Sequence, residues 1–154
     1  MKKEDIKILY IDDERVNLEG FKASFRRHYT IYLAQSAIEA REILDNNEIN
    51  IIITDERMPV TTGVEFLTSI LNDYPNPIRM MLTGYADLNA VIRAVNDAHI
   101  YKYLTKPIYG EDLKTVIDEA YNTYSKAEEQ RQLIKDLKKA NEQLEFHLQQ
   151  KNLM

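Results

Sequence analysis

The chain contains no cysteine and no tryptophan, and only 4 glycines, 4 prolines and 3 histidines in 154 residues. Without cysteine there is no disulfide framework, no thiolate metal site and no Cys nucleophile. Zinc would be left to His28, His99 and His147, none of which stand at a metal-ligand spacing. No apolar run approaches the roughly 18 residues of a membrane span. The charged start MKKEDIK lacks the apolar stretch of a secretory signal. These absences predict a soluble, cytoplasmic protein with no membrane partner. Basic charge is also short, with 20 Lys and Arg against 25 Asp and Glu and a formal net charge of -5. A broad basic face for nucleic acid is not expected.

What is present is the balance of one globular domain, 44% hydrophobic and 29% charged. Such a domain takes about 100 to 150 residues, so a short remainder is left and a two-domain enzyme is not expected. Short runs rich in Ile, Leu and Tyr recur at 7–11, 30–34, 49–54, 78–83 and 100–105. Helix-period segments lie between them at 15–27, 36–46, 63–72 and 87–98, with a fifth starting near Gly110. Strict alternation of this kind predicts an α/β fold with a doubly wound parallel sheet. Ile51, Ile52 and Ile53 form the most continuous run, as a central strand buried on both faces requires. In the fourth helix Leu88, Val91, Ile92 and Val95 share one face. Ser36 and Asp87 are expected N-caps.

The last helix has no evident stop, because no Pro or Gly occurs between Glu111 and Lys151. Heptads counted from Leu113 place Leu113, Ala120, Ala127, Ile134, Asn141 and Leu148 at a, and Val116, Thr123, Gln130, Leu137, Leu144 and Lys151 at d. The seam is sound only between Ile134 and Leu148. Asn141 at a core a-position favours two strands in one register, at a cost in stability. The expected division is a globular domain over 1–124 and a coiled-coil or linker helix over 125–154, through which two copies pair. The alternative is a solvated helix that joins the domain to an output segment outside this sequence. The helix is net acidic and contains no turn for a helix-turn-helix, so nucleic-acid binding is not expected within it.

Polar residues follow the predicted strands in a repeated way: Asp12, Asp13 and Glu14 after the first, Asp55 after the third, Thr83 at the fourth, and Thr105 and Lys106 at the fifth. In a doubly wound sheet these strand ends share one edge, where ligands bind. Singly, each residue has an ordinary explanation as a turn former, a cap or a solvated charge. Together they predict a cluster of three carboxylates with one Lys. Carboxylates so gathered repel one another unless a cation intervenes, and a hard ion such as Mg²⁺ suits a site of carboxylates, waters and phosphate oxygens. Lys106 and the Thr83 hydroxyl could meet a phosphoryl group there. The chemistry indicated is phosphoryl transfer onto a carboxylate.

The segments ILYIDDE, IIITDERMP, MLTGYAD and YKYLTKP, in this order and spacing, resemble the receiver domain of bacterial two-component response regulators. The resemblance covers about residues 6–121. It implies a flavodoxin-like five-stranded sheet of order 2-1-3-4-5 and a phosphorylation-activated signalling role rather than a conventional enzyme. Asp55 would accept a phosphoryl group from a sensor histidine kinase or phosphotransfer protein. Asp12 and Asp13 would form the acidic pair, with Asp13 the more direct Mg²⁺ ligand, and Arg57 would offer its backbone carbonyl. Lys106 would meet the phosphoryl group, with Lys106-Pro107 as a cis peptide. Thr83 and Tyr103 would form a switch pair: the hydroxyl moves toward the phosphoryl group and the ring turns into the space vacated. Their movement would reshape the face made by the fourth helix, fifth strand and fifth helix, together with the C-terminal helix. Glu56 and Arg57 stand directly beside the acceptor, where they would tune the lifetime of the phosphorylated state. Gly84 and Tyr85 after the switch Thr are similar to receivers joined to second-messenger or phosphohydrolase outputs.

Two other functions share these residues. One is a receiver fold that no longer switches and acts as a scaffold through its coiled coil. The other is a Mg²⁺-dependent phosphohydrolase with an aspartyl nucleophile; Arg57 stands where such enzymes, of the haloacid dehalogenase kind, carry a second acid.

Overall fold

The computed structural model describes residues 6–108 and 110–153, with the side chains of Tyr85 and Leu153 outside the description. What the sequence places on the Tyr85 side chain therefore lies outside the described residues. Strands β1 (Lys7–Ile11), β2 (Thr30–Ala34), β3 (Ile51–Thr54), β4 (Ile78–Thr83) and β5 (Ile100–Thr105) alternate with helices α1 (Arg15–Phe25), α2 (Ala37–Asn46), α3 (Gly63–Ser69), α4 (Leu88–Ala94) and α5 (Gly110–Leu153). All strands are parallel, in the order β2-β1-β3-β4-β5. This is the doubly wound, flavodoxin-like sheet, with β3 at its centre.

Alternation along each strand divides the core into two layers. Ile8, Tyr10, Ile51, Ile53, Met80 and Leu82 face α1 and α5, where they meet Phe21, Leu113 and Ile117. Leu9, Ile11, Ile52 and Met81 face the other side and meet Leu44, Phe66, Leu67 and Val91. Every residue of β3 is buried. The strand starts two residues later than the apolar run, because Asn50 breaks the pattern: its Oδ1 accepts from the Lys7 backbone N–H at 2.8 Å. Ile51 is fully buried at the strand end remote from Asp55. Ile51→Ala is expected to cost about 2 to 5 kcal/mol through lost transfer energy and a residual cavity. A lower urea midpoint at unchanged slope would record it.

The helices are shorter than their apolar patterns. The α1 and α3 patterns run on into hydrogen-bonded turns, as when Arg26 N–H donates to Lys22 O and Tyr74 N–H to Ile70 O. Beyond α4, Val95 N–H reaches back only to Ile92 O, and His99 reverses the chain at φ 52° to enter β5. On α4 only Val91 is buried, and Ile92 is 44% exposed, so the expected four-residue apolar face is incomplete. Ser36 caps α2 as expected, accepting from Glu39 N–H. Asp87 caps nothing with its side chain.

Helix α5 is continuous over 44 residues, but it uses two different faces. Its buried residues are Leu113, Ile117, Ala120 and Tyr124. Ile117 and Tyr124 are e positions of the heptad count, while Thr123 at d is exposed. The later stripe of Ile134, Leu137, Leu144 and Leu148 is exposed and lies roughly a third of a turn away from the packed face, at 3.6 residues per turn. One uninterrupted seam from Leu113 is therefore not what the helix presents: the domain takes one face, and a second begins beyond it.

Candidate functional site

Parallel pairing brings the strand ends into line. Ile11 stands opposite Thr54, and the ladder runs one residue further where Asp55 N–H donates to Ile11 O at 3.0 Å. Asp12 and Asp55 thus emerge side by side. Thr83 pairs with Thr105, and Lys106 N–H donates to Thr83 O at 2.8 Å, which brings the Lys to the same edge. The Lys106-Pro107 peptide is cis, as the motif implies. Lys106 Nζ lies 3.4 Å from Asp55 Oδ2 and 3.5 Å from Asp12 Oδ2.

The carboxylates differ in their surroundings. Asp12 is fully buried. Its Oδ2 accepts from the Tyr10 hydroxyl at 3.1 Å and Asn17 Nδ2 at 3.0 Å, and its Oδ1 from Glu14 N–H at 3.0 Å. Asp13 is exposed and Asp55 half-buried. Each of the three offers an oxygen within 4.8 Å of the others. Burial holds the Asp55 carboxyl above its usual range; Lys106 draws it back and the Asp12 charge adds to the rise. Burial, reinforced by the Asp12 charge and hydrogen bond, pushes the Tyr10 phenol well above its ordinary value. Converging hard oxygen donors of this kind fit Mg²⁺ better than a softer metal.

Thr83 is fully buried, and its hydroxyl donates to Gly84 O at 3.4 Å. Tyr103, on β5, is 38% exposed. Glu56 and Arg57 flank the acceptor, with Glu56 N–H donating to Asp55 Oδ1 at 2.8 Å, but their side chains part. Glu56 is buried and turns to the start of α3, where its Oε1 accepts from Val64 N–H at 2.9 Å. Burial raises its carboxyl pKa, opposed by that hydrogen bond. Arg57 instead reaches across the site: its Nε lies 3.1 and 2.9 Å from the two Asp87 oxygens. Asp87 is thereby drawn away from its expected cap. The two line an open cavity of about 670 Å³ together with Asp13, Asp55 and Lys106.

Several members of the site are not evident from strand-end reasoning. Tyr10 had a signal, since it lies two residues before Asp12 and so on the same side of the strand. Asn17 had none, because its position on α1 depends on how the helix leaves β1. Gly63 opens α3 against the acceptor: a Cβ there would lie 2.2 Å from Asp55 O and 2.9 Å from Met81 Cε.

Residues 8–118 match the response regulator receiver domain family. The chain is 32% identical over 117 residues to the hydrogenase transcriptional regulatory protein HoxA of Bradyrhizobium diazoefficiens, covering 76% of this chain and 24% of that protein. The chain thus spans about a quarter of that relative's length. A response regulator receiver domain protein from Clostridium thermocellum superposes with a TM-score of 0.73 at 33% identity, over 79% of this chain and 98% of that one. An adenylate cyclase from Rhodopirellula baltica superposes with a TM-score of 0.81 at 26% identity, over 88% and 98%. With the strand order and the aligned motifs, these matches establish that the chain belongs to the response regulator receiver domain family.

Proposed function

We propose that the protein is a phosphorylation-activated receiver in which Asp55 takes a phosphoryl group from a histidine kinase or phosphotransfer partner. The observation that carries this reading is the convergence of Asp12, Asp13, Asp55 and Lys106 at one edge of the sheet. An Asp55 carboxylate oxygen attacks phosphorus, the new O–P bond forms as the P–N bond of the phosphohistidine breaks, and the departing ring nitrogen keeps the electron pair and takes a proton. Asp12, Asp13, Asp55 and the Arg57 carbonyl would hold Mg²⁺, which when bound supplies positive charge to the phosphoryl oxygens. Lys106 adds a second positive charge, and its 30% exposure leaves it room to follow the transferred group. Dephosphorylation is the same site acting on water.

Thr83 and Tyr103 are the switch pair of this proposal. The buried Thr83 hydroxyl makes a long local bond to Gly84 O that it can give up, and the partly exposed Tyr103 ring has room to turn. The receiver unit spans 1–124, since Tyr124 is the last buried residue of α5 among those described. The helix over 125–154 carries the switched state to a second copy or a tethered output. Its exposed Ile134, Leu137, Leu144 and Leu148 support pairing through that face. A cytoplasmic setting follows from kinase partnership.

The test is a mass measurement after incubation with acetyl phosphate and Mg²⁺. One phosphoryl increment is expected in wild type and none in Asp55→Asn; an equal increment in both would overturn the reading. Sedimentation with beryllofluoride and Mg²⁺ is expected to shift the monomer–dimer balance in wild type and not in Asp55→Asn. An unchanged balance would assign the helix to a solvated linker.

A further inference from the structure

Asp12 is the most enclosed of the three clustered carboxylates, and a buried charge persists only where hydrogen bonds meet it. One of those bonds comes from the core itself. Tyr10 is 3% exposed and stacks on Phe21 with ring centroids 4.2 Å apart and planes 6° from parallel. Phe21 in turn packs on Phe25 at 4.9 Å. This packing leaves the ring little freedom, so its hydroxyl is delivered to Asp12 Oδ2 from a fixed position. The strand period does the rest, because residues i and i+2 project to the same side. Asn17 and Lys106 approach the same oxygen from α1 and the end of β5. Both are partly exposed, whereas Tyr10 is enclosed by the core.

We infer that Tyr10 is a positioning residue for the acidic pair: its hydroxyl orients the Asp12 carboxylate so that the cluster is set for a divalent cation before the cation arrives. The inference rests on the proposed Mg²⁺ role of the site. Outer hydrogen-bond partners of ligating carboxylates typically change metal affinity by about 10- to 100-fold when removed. Tyr10→Phe keeps the ring and its stack on Phe21 and deletes only the hydroxyl. Its Mg²⁺ affinity is expected to fall about tenfold.

The experiment is a calorimetric titration with Mg²⁺ alone, without phosphodonor, on wild type, Tyr10→Phe, Asp13→Asn and Phe21→Leu. Phe21→Leu loosens the ring's packing but keeps the hydroxyl itself, so it separates the loss of the donor from a loosening of the core. The inference holds if Tyr10→Phe binds about tenfold more weakly than wild type, Phe21→Leu falls between the two because its loosened ring still carries the hydroxyl, and Asp13→Asn scarcely binds. If Tyr10→Phe binds as wild type does, or no more weakly than Phe21→Leu, the positioning role is overturned while the metal site stands. If wild type itself shows no binding, the metal reading fails, and the inference fails with it.

Discussion

Gly63→Ala should slow phosphorylation of Asp55 by roughly a hundredfold and also destabilise the domain, although it adds a single methyl group. The helix propensity of alanine argues for the opposite result. Space decides the sign. The new Cβ would stand 2.2 Å from the backbone carbonyl oxygen of Asp55, the residue whose N–H closes the ladder to Ile11 O, and 2.9 Å from Met81 Cε. Met81 can yield, because its side chain is flexible; the carbonyl cannot move without carrying the acceptor with it. Insertion of a methyl into packed surroundings costs about 1 to 3 kcal/mol. A displacement near 1 Å at a reacting group costs about a hundredfold in rate. Gly20→Ala is the control, since nothing lies within 4 Å of a Cβ at that exposed α1 position. It should stabilise the protein by about 0.5 to 1 kcal/mol and leave the phosphorylation rate unchanged. Melting temperatures and phosphorylation rates for the two variants check both signs. Equal rates for Gly63→Ala and wild type would show that the loop holds Asp55 by other means.

The contrast between these glycines marks where sequence reading succeeds and where it stops. Patterns that depend on chain period alone are legible: the Ile run of β3, the alternation that splits the core, and the polar residues that close β1, β3, β4 and β5. The four motifs also locate the residues brought together at the sheet edge. Features that depend on the exit angle of an element are not legible. The side-chain partner of Arg57 exists only because the turn before α4 brings Asp87 across the cavity. The Glu56 carboxylate turns to α3 because the helix opens with N–H groups that lack an intrahelical partner and attract a carboxylate. Helix α4 ends at Ala94 although the apolar spacing runs on to Val95, and the chain reverses at His99. On α5 a single heptad count spans two faces, because the first half of the helix answers to the sheet and the second does not. Helical period predicts a stripe but not what covers it.

The effects of Lys106→Met should run in opposite directions for metal and for phosphate. Met retains most of the aliphatic stem and removes the charge that stands 3.4 Å from Asp55 and 3.5 Å from Asp12. Three carboxylates are then left with less to offset their repulsion. Unit charges about 4 Å apart interact by roughly 1 kcal/mol even in high dielectric, so Mg²⁺ should bind about fivefold more tightly than in wild type. Phosphorylation should nevertheless fall by about a hundredfold or more, as on loss of one donor to a developing anion. The Asp55 carboxyl is already raised by burial, and Lys106 is the group that most opposes the rise. Its removal lifts that carboxyl further, so Mg²⁺ binding in the variant should weaken at a higher pH than in wild type as acid is added. A carboxyl raised on folding stabilises the protein at acid pH and loses that contribution as pH rises through its folded value. Without metal, the variant should therefore be less stable than wild type above that value, and the gap should narrow as the pH is lowered. Mg²⁺ titrations and melting temperatures across pH separate these effects. Weaker Mg²⁺ binding in Lys106→Met at neutral pH would mean that Lys106 organises the carboxylates rather than competing with the cation for them.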